Sequence, residues 1–167
     1  MQPLLLTFTL LLTMTRVALG AGPAAGTCIF GAVSGINFGT YSPVSSELST
    51  NSGTVTVQCT PAGKNFGYAL YFSTGKSNTF SNSYLNSSPV FTYNLYSAPS
   101  YTTVLGNGTS NTVVYYVNDI KGKGYSVDWS VYGYLPIAQA ISAGTYSDTI
   151  ILTVAYCNQI QPPYCPP

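Results

Sequence analysis

The feature that most constrains this chain is a set of short segments in which apolar and polar residues alternate, each bounded by Gly, Asn, Ser or Pro. Thr54-Val-Thr-Val-Gln-Cys59 puts Val55, Val57 and Cys59 on one side and Thr54, Thr56 and Gln58 on the other. Val90-Phe-Thr-Tyr-Asn-Leu-Tyr96 likewise opposes Phe91, Tyr93 and Leu95 to Thr92, Asn94 and Tyr96. Successive side chains of a strand point to opposite faces, so each segment reads as a half-buried strand. The same reading predicts strands over Phe66 to Ser73, Val113 to Val117, Ser126 to Leu135 and Thr149 to Tyr156. Ile29 to Phe38 is a first strand, with Gly31 and Gly35 marking a bulge or kink between two half-strands. Helical periodicity is nowhere sustained. Many short strands separated by turns specify an all-β antiparallel sandwich in one domain.

The N-terminus differs. Leu4 to Met14 is an unbroken run of Leu, Phe, Thr and Met, shorter than the roughly 20 residues that span a bilayer. Small residues follow at Ala18-Leu-Gly-Ala21. This pattern predicts a secretory signal peptide over residues 1–20, cleaved before Ala21 with a second choice after Ala25. Arg16 lies beyond the apolar run and no basic residue precedes it. The competing reading is an apolar helix of the folded domain, which no neighbouring helical pattern supports.

Without that segment, Lys64, Lys76, Lys121 and Lys123 balance Glu47, Asp119, Asp128 and Asp148. A neutral chain offers no basic field for nucleic acid or an anionic membrane. Charged residues make up 5% of the sequence, but its 46% hydrophobic content is enough to build a core, which excludes disorder.

Four cysteines, Cys28, Cys59, Cys157 and Cys165, in a secreted chain suggest two disulfides with three possible connectivities. The favoured pairs are Cys28 with Cys59, joining two successive strands, and Cys157 with Cys165, closing a Pro-rich tail over residues 157–167. Zinc is the competing reading, but there is no Cys-x-x-Cys and no His. Leu105-Gly-Asn-Gly-Thr109 supplies three residues that tolerate positive φ, and Gly144 is expected to do the same before the last strand. Asp148 at the start of that strand is expected to accept hydrogen bonds from nearby backbone N–H groups.

Several stretches in order resemble the spore coat protein U domain family, over residues 28–156. These are Cys28; Phe38-Gly-Thr-Tyr41 with Pro43; Gly53-Thr-Val-Thr-Val-Gln-Cys59; Tyr93-Asn-Leu-Tyr96; Gly106-Asn-Gly108; Tyr132-Gly-Tyr-Leu-Pro136; and Gly144-Thr-Tyr-Ser-Asp-Thr149. The family contains pilus subunits of the archaic chaperone-usher pathway. The resemblance implies an immunoglobulin-like sandwich lacking its final strand, with a groove between first and last strands. A periplasmic chaperone and then a neighbouring pilus subunit would each lend a strand there, with an usher assembling the fibre. Groove residues on this reading are Ile36 and Phe38 on one side and Ile150, Leu152, Val154 and Tyr156 on the other. The alternate set on the last strand is Ile151, Thr153 and Ala155. A donor segment needs about ten residues of strand carrying large alternating apolar side chains. The stub over residues 21–27, Ala21-Gly-Pro-Ala-Ala-Gly-Thr27, has neither the length nor those side chains. The resemblance therefore implies a secreted subunit that passes through the periplasm and accepts a strand at a fibre tip, with Phe80, Tyr84, Leu85, Tyr101 and Ile137 free to touch a surface.

Two other classes compete. An enzyme would need a nucleophile and base that a His-free chain does not supply, leaving only a carboxylate pair among Glu47, Asp119, Asp128 and Asp148. No cofactor is implied. A stand-alone carbohydrate- or surface-binding sandwich is the main alternative, using some of the 15 tyrosines and Trp129, with Tyr101, Tyr115, Tyr116 and Tyr125 the best placed.

Overall fold

The computed structural model describes residues 8–18, 26–45, 49–61, 66–80, 83–85, 91–120 and 124–157. Among the described residues nine strands run in order: β1 (Phe8–Ala18), β2 (Gly26–Val33), β3 (Ser49–Pro61), β4 (Phe66–Phe72), β5 (Ser83–Leu85), β6 (Phe91–Tyr96), β7 (Tyr115–Ile120), β8 (Tyr125–Leu135) and β9 (Tyr146–Cys157). They form two sheets, one ordered β1-β9-β4-β7 and the other β2-β3-β8-β6-β5. All pairings are antiparallel except β1 with β9, which is parallel. The all-β sandwich expected from the alternation is the observed architecture. Two strands lay outside the sequence reading. One is the short β5, and the other is β1, which falls within the segment read as a leader.

The core is built from the inward halves of the alternating segments. Val55, Val57 and Cys59 of β3, Phe91, Tyr93 and Leu95 of β6 and Val131 and Leu135 of β8 meet Tyr68, Leu70 and Phe72 of β4 and Ile150, Leu152 and Val154 of β9 in one cluster. Burying each large apolar side chain contributes about 1.5–3 kcal/mol. At one end Trp129 braces the two sheets: its indole stacks on Tyr115 with centroids 4.3 Å apart and planes 12° apart. Its Nε1–H donates to the Tyr68 hydroxyl at 2.9 Å.

The first strand is shorter than expected. The register of β2 against β3 slips between Phe30 and Val33, where Gly31 predicts a kink, and the ladder ends at Val33 rather than at Phe38. Beyond it Ile36, Phe38 and Tyr41 remain buried while the residues between them are exposed. Side chains replace the lost ladder: Ser34 Oγ accepts from Thr54 N at 2.7 Å, Ser49 Oγ donates to Phe38 O at 3.2 Å, and Asn51 Nδ2 donates to Asn37 O. Leaving the ladder lets Ile36 and Phe38 turn under β8, where a Cβ on Gly133 would collide with the Phe38 ring.

Pro136 ends β8 because it has no N–H to continue the ladder. The side-chain amide of Gln139 substitutes, accepting from Thr92 N at 2.7 Å through Oε1 and donating to Thr92 O at 2.9 Å through Nε2. The Tyr41 hydroxyl donates to Pro136 O at 3.0 Å and accepts from Gln139 N at 2.8 Å.

Turn chemistry departs from expectation at two connections. Around the Leu105–Thr109 turn Gly108 takes positive φ as expected, but Ser110 and Asn111 do so as well, while Gly106 and Asn107 do not. Gly106 is required instead by close approach, since a Cβ there would strike the Thr112 side chain. Before β9 the positive φ belongs to Ala138, at 57°, and Gly144 takes none.

Gly133→Ala should destabilise by about 1–3 kcal/mol, the usual cost of overpacking a filled core, read as a lower urea midpoint with an unchanged slope; an unchanged midpoint would show that Phe38 does not depend on the missing Cβ. Burial pushes the phenols of Tyr68 and Tyr115 well above their ordinary range, with Tyr132 adding to the rise at Tyr115. Both ionise more readily when unfolded, so their support for the fold is complete below about pH 10 and is lost as pH rises beyond it. The melting temperature should therefore fall above about pH 10 together with the appearance of tyrosinate absorbance, whereas free titration of all tyrosines at unchanged melting temperature would contradict the burial.

Candidate functional site

Within its sheet β9 lies between β4 and β1. Tyr146, Asp148, Ile150, Leu152 and Val154 are buried, while Ser147 and Ile151 are exposed and Thr149 and Thr153 half-buried. One edge of β9 pairs with β4 from Gly67↔Cys157 to Phe72↔Leu152. The other edge pairs with β1 in eleven consecutive partners, from Phe8↔Tyr146 to Ala18↔Tyr156, in parallel. At about 3.3 Å per residue that ladder runs over roughly 35 Å. The occupant comes from the opposite end of the chain.

The residues singled out for this groove fall as follows. Ile36, Phe38, Ile150, Leu152 and Val154 are all buried in the main core cluster, Ile36 and Phe38 under β8 and the other three on the inner side of β9. Tyr156 pairs through its backbone with Ala18 and Tyr68; its side chain lies outside the described residues. In the alternate set, Ile151 is 44% exposed, Thr153 is half-buried, and Ala155 is buried on the other side of the sheet with Ala69, Tyr71 and Val114.

Cys28 and Cys59 are disulfide-bonded and stand opposite each other in the β2–β3 ladder. Cys157 ends β9, and Cys165 lies outside the described residues together with the side chain of Cys157. Asp148 is 1% exposed; it accepts from Thr149 N at 2.7 Å, Lys76 N at 3.2 Å and the Tyr93 hydroxyl at 2.7 Å. These bonds satisfy both oxygens, the role expected of it at the strand entrance. Asp128 is exposed and accepts from Thr56 Oγ1 at 2.7 Å. Glu47 lies outside the described residues, as does the side chain of Asp119.

The candidate surface-contact residues do not form one patch. Phe80 lines a cleft of about 320 Å³ with Tyr71, Ile151 and Thr153 on the outer face of the β9 sheet. Tyr84 and Leu85 belong to β5, opposite Thr92 and Phe91; their side chains are outside the described residues. Ile137 is 43% exposed just after β8. Tyr101 lies on the outer face of the other sheet, in ring contact with Tyr96 and Tyr134. The sequence reading missed these two partners because alternation marks them only as outward residues. Of the other aromatic candidates, Trp129 and Tyr115 are committed to each other between the sheets, whereas Tyr116 and Tyr125 are exposed.

A model of the spore coat protein U domain matches residues 15–153. Protein U of Myxococcus xanthus is 32% identical over 156 residues, covering 83% of this chain and 76% of that protein. Among solved structures, the crystal structure of the CsuC-CsuE chaperone-tip adhesion subunit pre-assembly complex from archaic chaperone-usher Csu pili of Acinetobacter baumannii contains a similar chain, with a TM-score of 0.49 and 19% identity. That similarity covers 77% of this chain and 39% of the solved one. By the extent of the domain match and the identity to protein U, the chain belongs to the spore coat protein U domain family.

Proposed function

We propose that this protein is a secreted structural or adhesion subunit of a chaperone-usher surface fibre, one that accepts a donor strand along the outer edge of β9. The observation that carries the reading is the eleven-residue parallel ladder between β9 and a segment whose sequence is that of a leader peptide. Cleavage before Ala21 removes β1 and leaves the β9 backbone without a partner on that side, above the buried row Ile150, Leu152 and Val154. An edge of that length with an apolar floor would aggregate if left open. Strand addition closes it: backbone bonds supply affinity, and alternate side chains of the donor supply specificity. The partners on this reading are a periplasmic chaperone during transit, an usher at the outer membrane and a neighbouring subunit in the fibre. Membership of the spore coat protein U domain family supports it.

The tip position rests on the residues that remain after cleavage. Gly26 and Thr27 already belong to β2, so only Ala21-Gly-Pro-Ala-Ala25 is left to reach another subunit. No large apolar side chain lies among them. Such a subunit accepts a strand without passing one on.

A chain starting at Ala21 should be aggregation-prone alone, and a peptide of about ten residues with alternating large apolar side chains, fused at the C-terminus or added in trans, should raise its melting temperature by many degrees. A monomer already hyperstable without a donor would overturn the open groove; deleting residues 158–167 from it would then show whether the tail supplies the strand. The unmodified chain should give no SDS-resistant ladders, and grafting an alternating apolar segment ahead of Ala21 should create them. Ladders from the unmodified chain that vanish on deleting residues 21–27 would refute the tip position.

A further inference from the structure

On the outer face of the β2-β3-β8-β6-β5 sheet, away from the β9 edge, three tyrosine rings meet in the open. Tyr96 and Tyr101 lie edge to face with centroids 5.5 Å apart, Tyr96 and Tyr134 do the same at 6.2 Å, and Tyr101 and Tyr134 are tilted by 43° at 5.3 Å. All three are half-buried, so part of each ring faces solvent.

Tyr101 is the unexpected member. It closes the turn after β6, with its N–H bonded to Ala98 O at 3.1 Å, and holds a φ of 52°. That left-handed conformation suits Gly or Asn and is unfavourable for a bulky residue. The turn could be made with less strain by glycine, and the tyrosine ring is what the strained position adds to the surface. Strained backbone of this kind concentrates at binding sites.

Beside the rings lies a cleft of about 110 Å³ whose wall includes Thr92, Asn94, Tyr134 and Pro136. Hydroxyl, amide and phenol groups thus sit next to aromatic faces. Neither the cleft nor the ring cluster contains an Asp, Glu, Lys or Arg. On the described outward positions of β3, β6 and β8 only Asp128 carries a charge, six residues along β8 from Tyr134 and so roughly 20 Å away. A ligand matched to this surface is uncharged, rich in hydroxyls and able to present C–H groups to a ring face.

We infer that Tyr96, Tyr101 and Tyr134, with Asn94 and Thr92 at their edge, form a binding platform for a neutral polysaccharide. Sugar rings stack their C–H faces on the phenols, and their hydroxyls bond to the Asn94 amide and donate to Thr92 Oγ1, whose own proton goes to Gln139 Oε1 at 2.8 Å. The platform lies on the sheet opposite the strand-accepting edge, so it stands or falls independently of the fibre reading.

Affinity electrophoresis of the full chain in gels containing hydroxyethylcellulose, galactomannan, xyloglucan or dextran tests the assignment. Retardation by at least one polymer is expected. Tyr134→Ala and Tyr96→Ala should weaken it tenfold or more, whereas Tyr134→Phe should keep most of it. Tyr101→Gly is the decisive variant: it removes the ring and relieves the backbone, so it should remain folded, with an unchanged or higher melting temperature, and lose binding. Should Tyr134→Ala fail to fold, Tyr101→Gly decides alone. Unchanged mobility in all four gels, retardation that Tyr101→Gly leaves intact, or retention on polystyrene beads without retardation by any polysaccharide would overturn the proposal.

Discussion

The two sheets are held in place by the docking of one irregular segment onto the end of β8. Phe38 enters the space that Gly133 leaves empty, and the Tyr41 hydroxyl bridges Pro136 O and Gln139 N. The Phe38 ring also meets Tyr93 edge-on, with centroids 6.5 Å apart, and Tyr41 packs on Phe91 at 4.8 Å. The segment can fit only because β2 stops pairing at Val33 and the chain turns inward. A regular first strand would keep its backbone in the sheet plane and hold these side chains away from β6.

From that contact the remaining polar groups find their partners. Tyr93, pressed by Phe38, donates to Asp148, whose other oxygen receives the N–H groups of Lys76 and Thr149. One buried carboxylate thereby ties β6, the turn at Gly75–Ser77 and the start of β9. Leaving a buried charge short of donors would cost several kcal/mol, so these elements assemble together or not at all. Gly75, at φ 62°, is part of the same fit: a Cβ there would strike the Asp148 carboxylate.

What could be read from the sequence was whatever repeats with period two. Val55, Val57 and Cys59, and Phe91, Tyr93 and Leu95, face inward as their alternation requires, and Cys28 meets Cys59 because successive strands bring them opposite. Alternation also continues through Ile36 and Phe38, and there it misled: burial keeps the period while the strand pairing has ended, and beyond the Ser34 N to Thr54 O bond the side chains of Ser49 and Asn51 tie the segment to β3. Two left-handed residues escaped because Ala138 and Tyr101 are not turn formers by type. Along β9 apolar residues occur on both faces, so only packing against the opposite sheet separates Ile150, Leu152 and Val154 from Ile151 and Thr153. Tyr96, Tyr101 and Tyr134 come from three different stretches, and no local pattern joins them.

The position of the disulfide has a mechanical consequence. Cys28 lies two residues inside the start of β2 and is tied to Cys59 directly across the ladder. A pull on the chain at Gly26 would otherwise peel β2 from β3 one hydrogen bond at a time, the weakest way to load a sheet. The covalent link stops that peeling at its second step and passes the tension into β3 and through it to β8. A load that leaves along β9 is carried by a ladder of parallel bonds that must break in shear, many at once. Tension then tests the length of the strand seated on β9, and the sandwich behind it behaves as a rigid link.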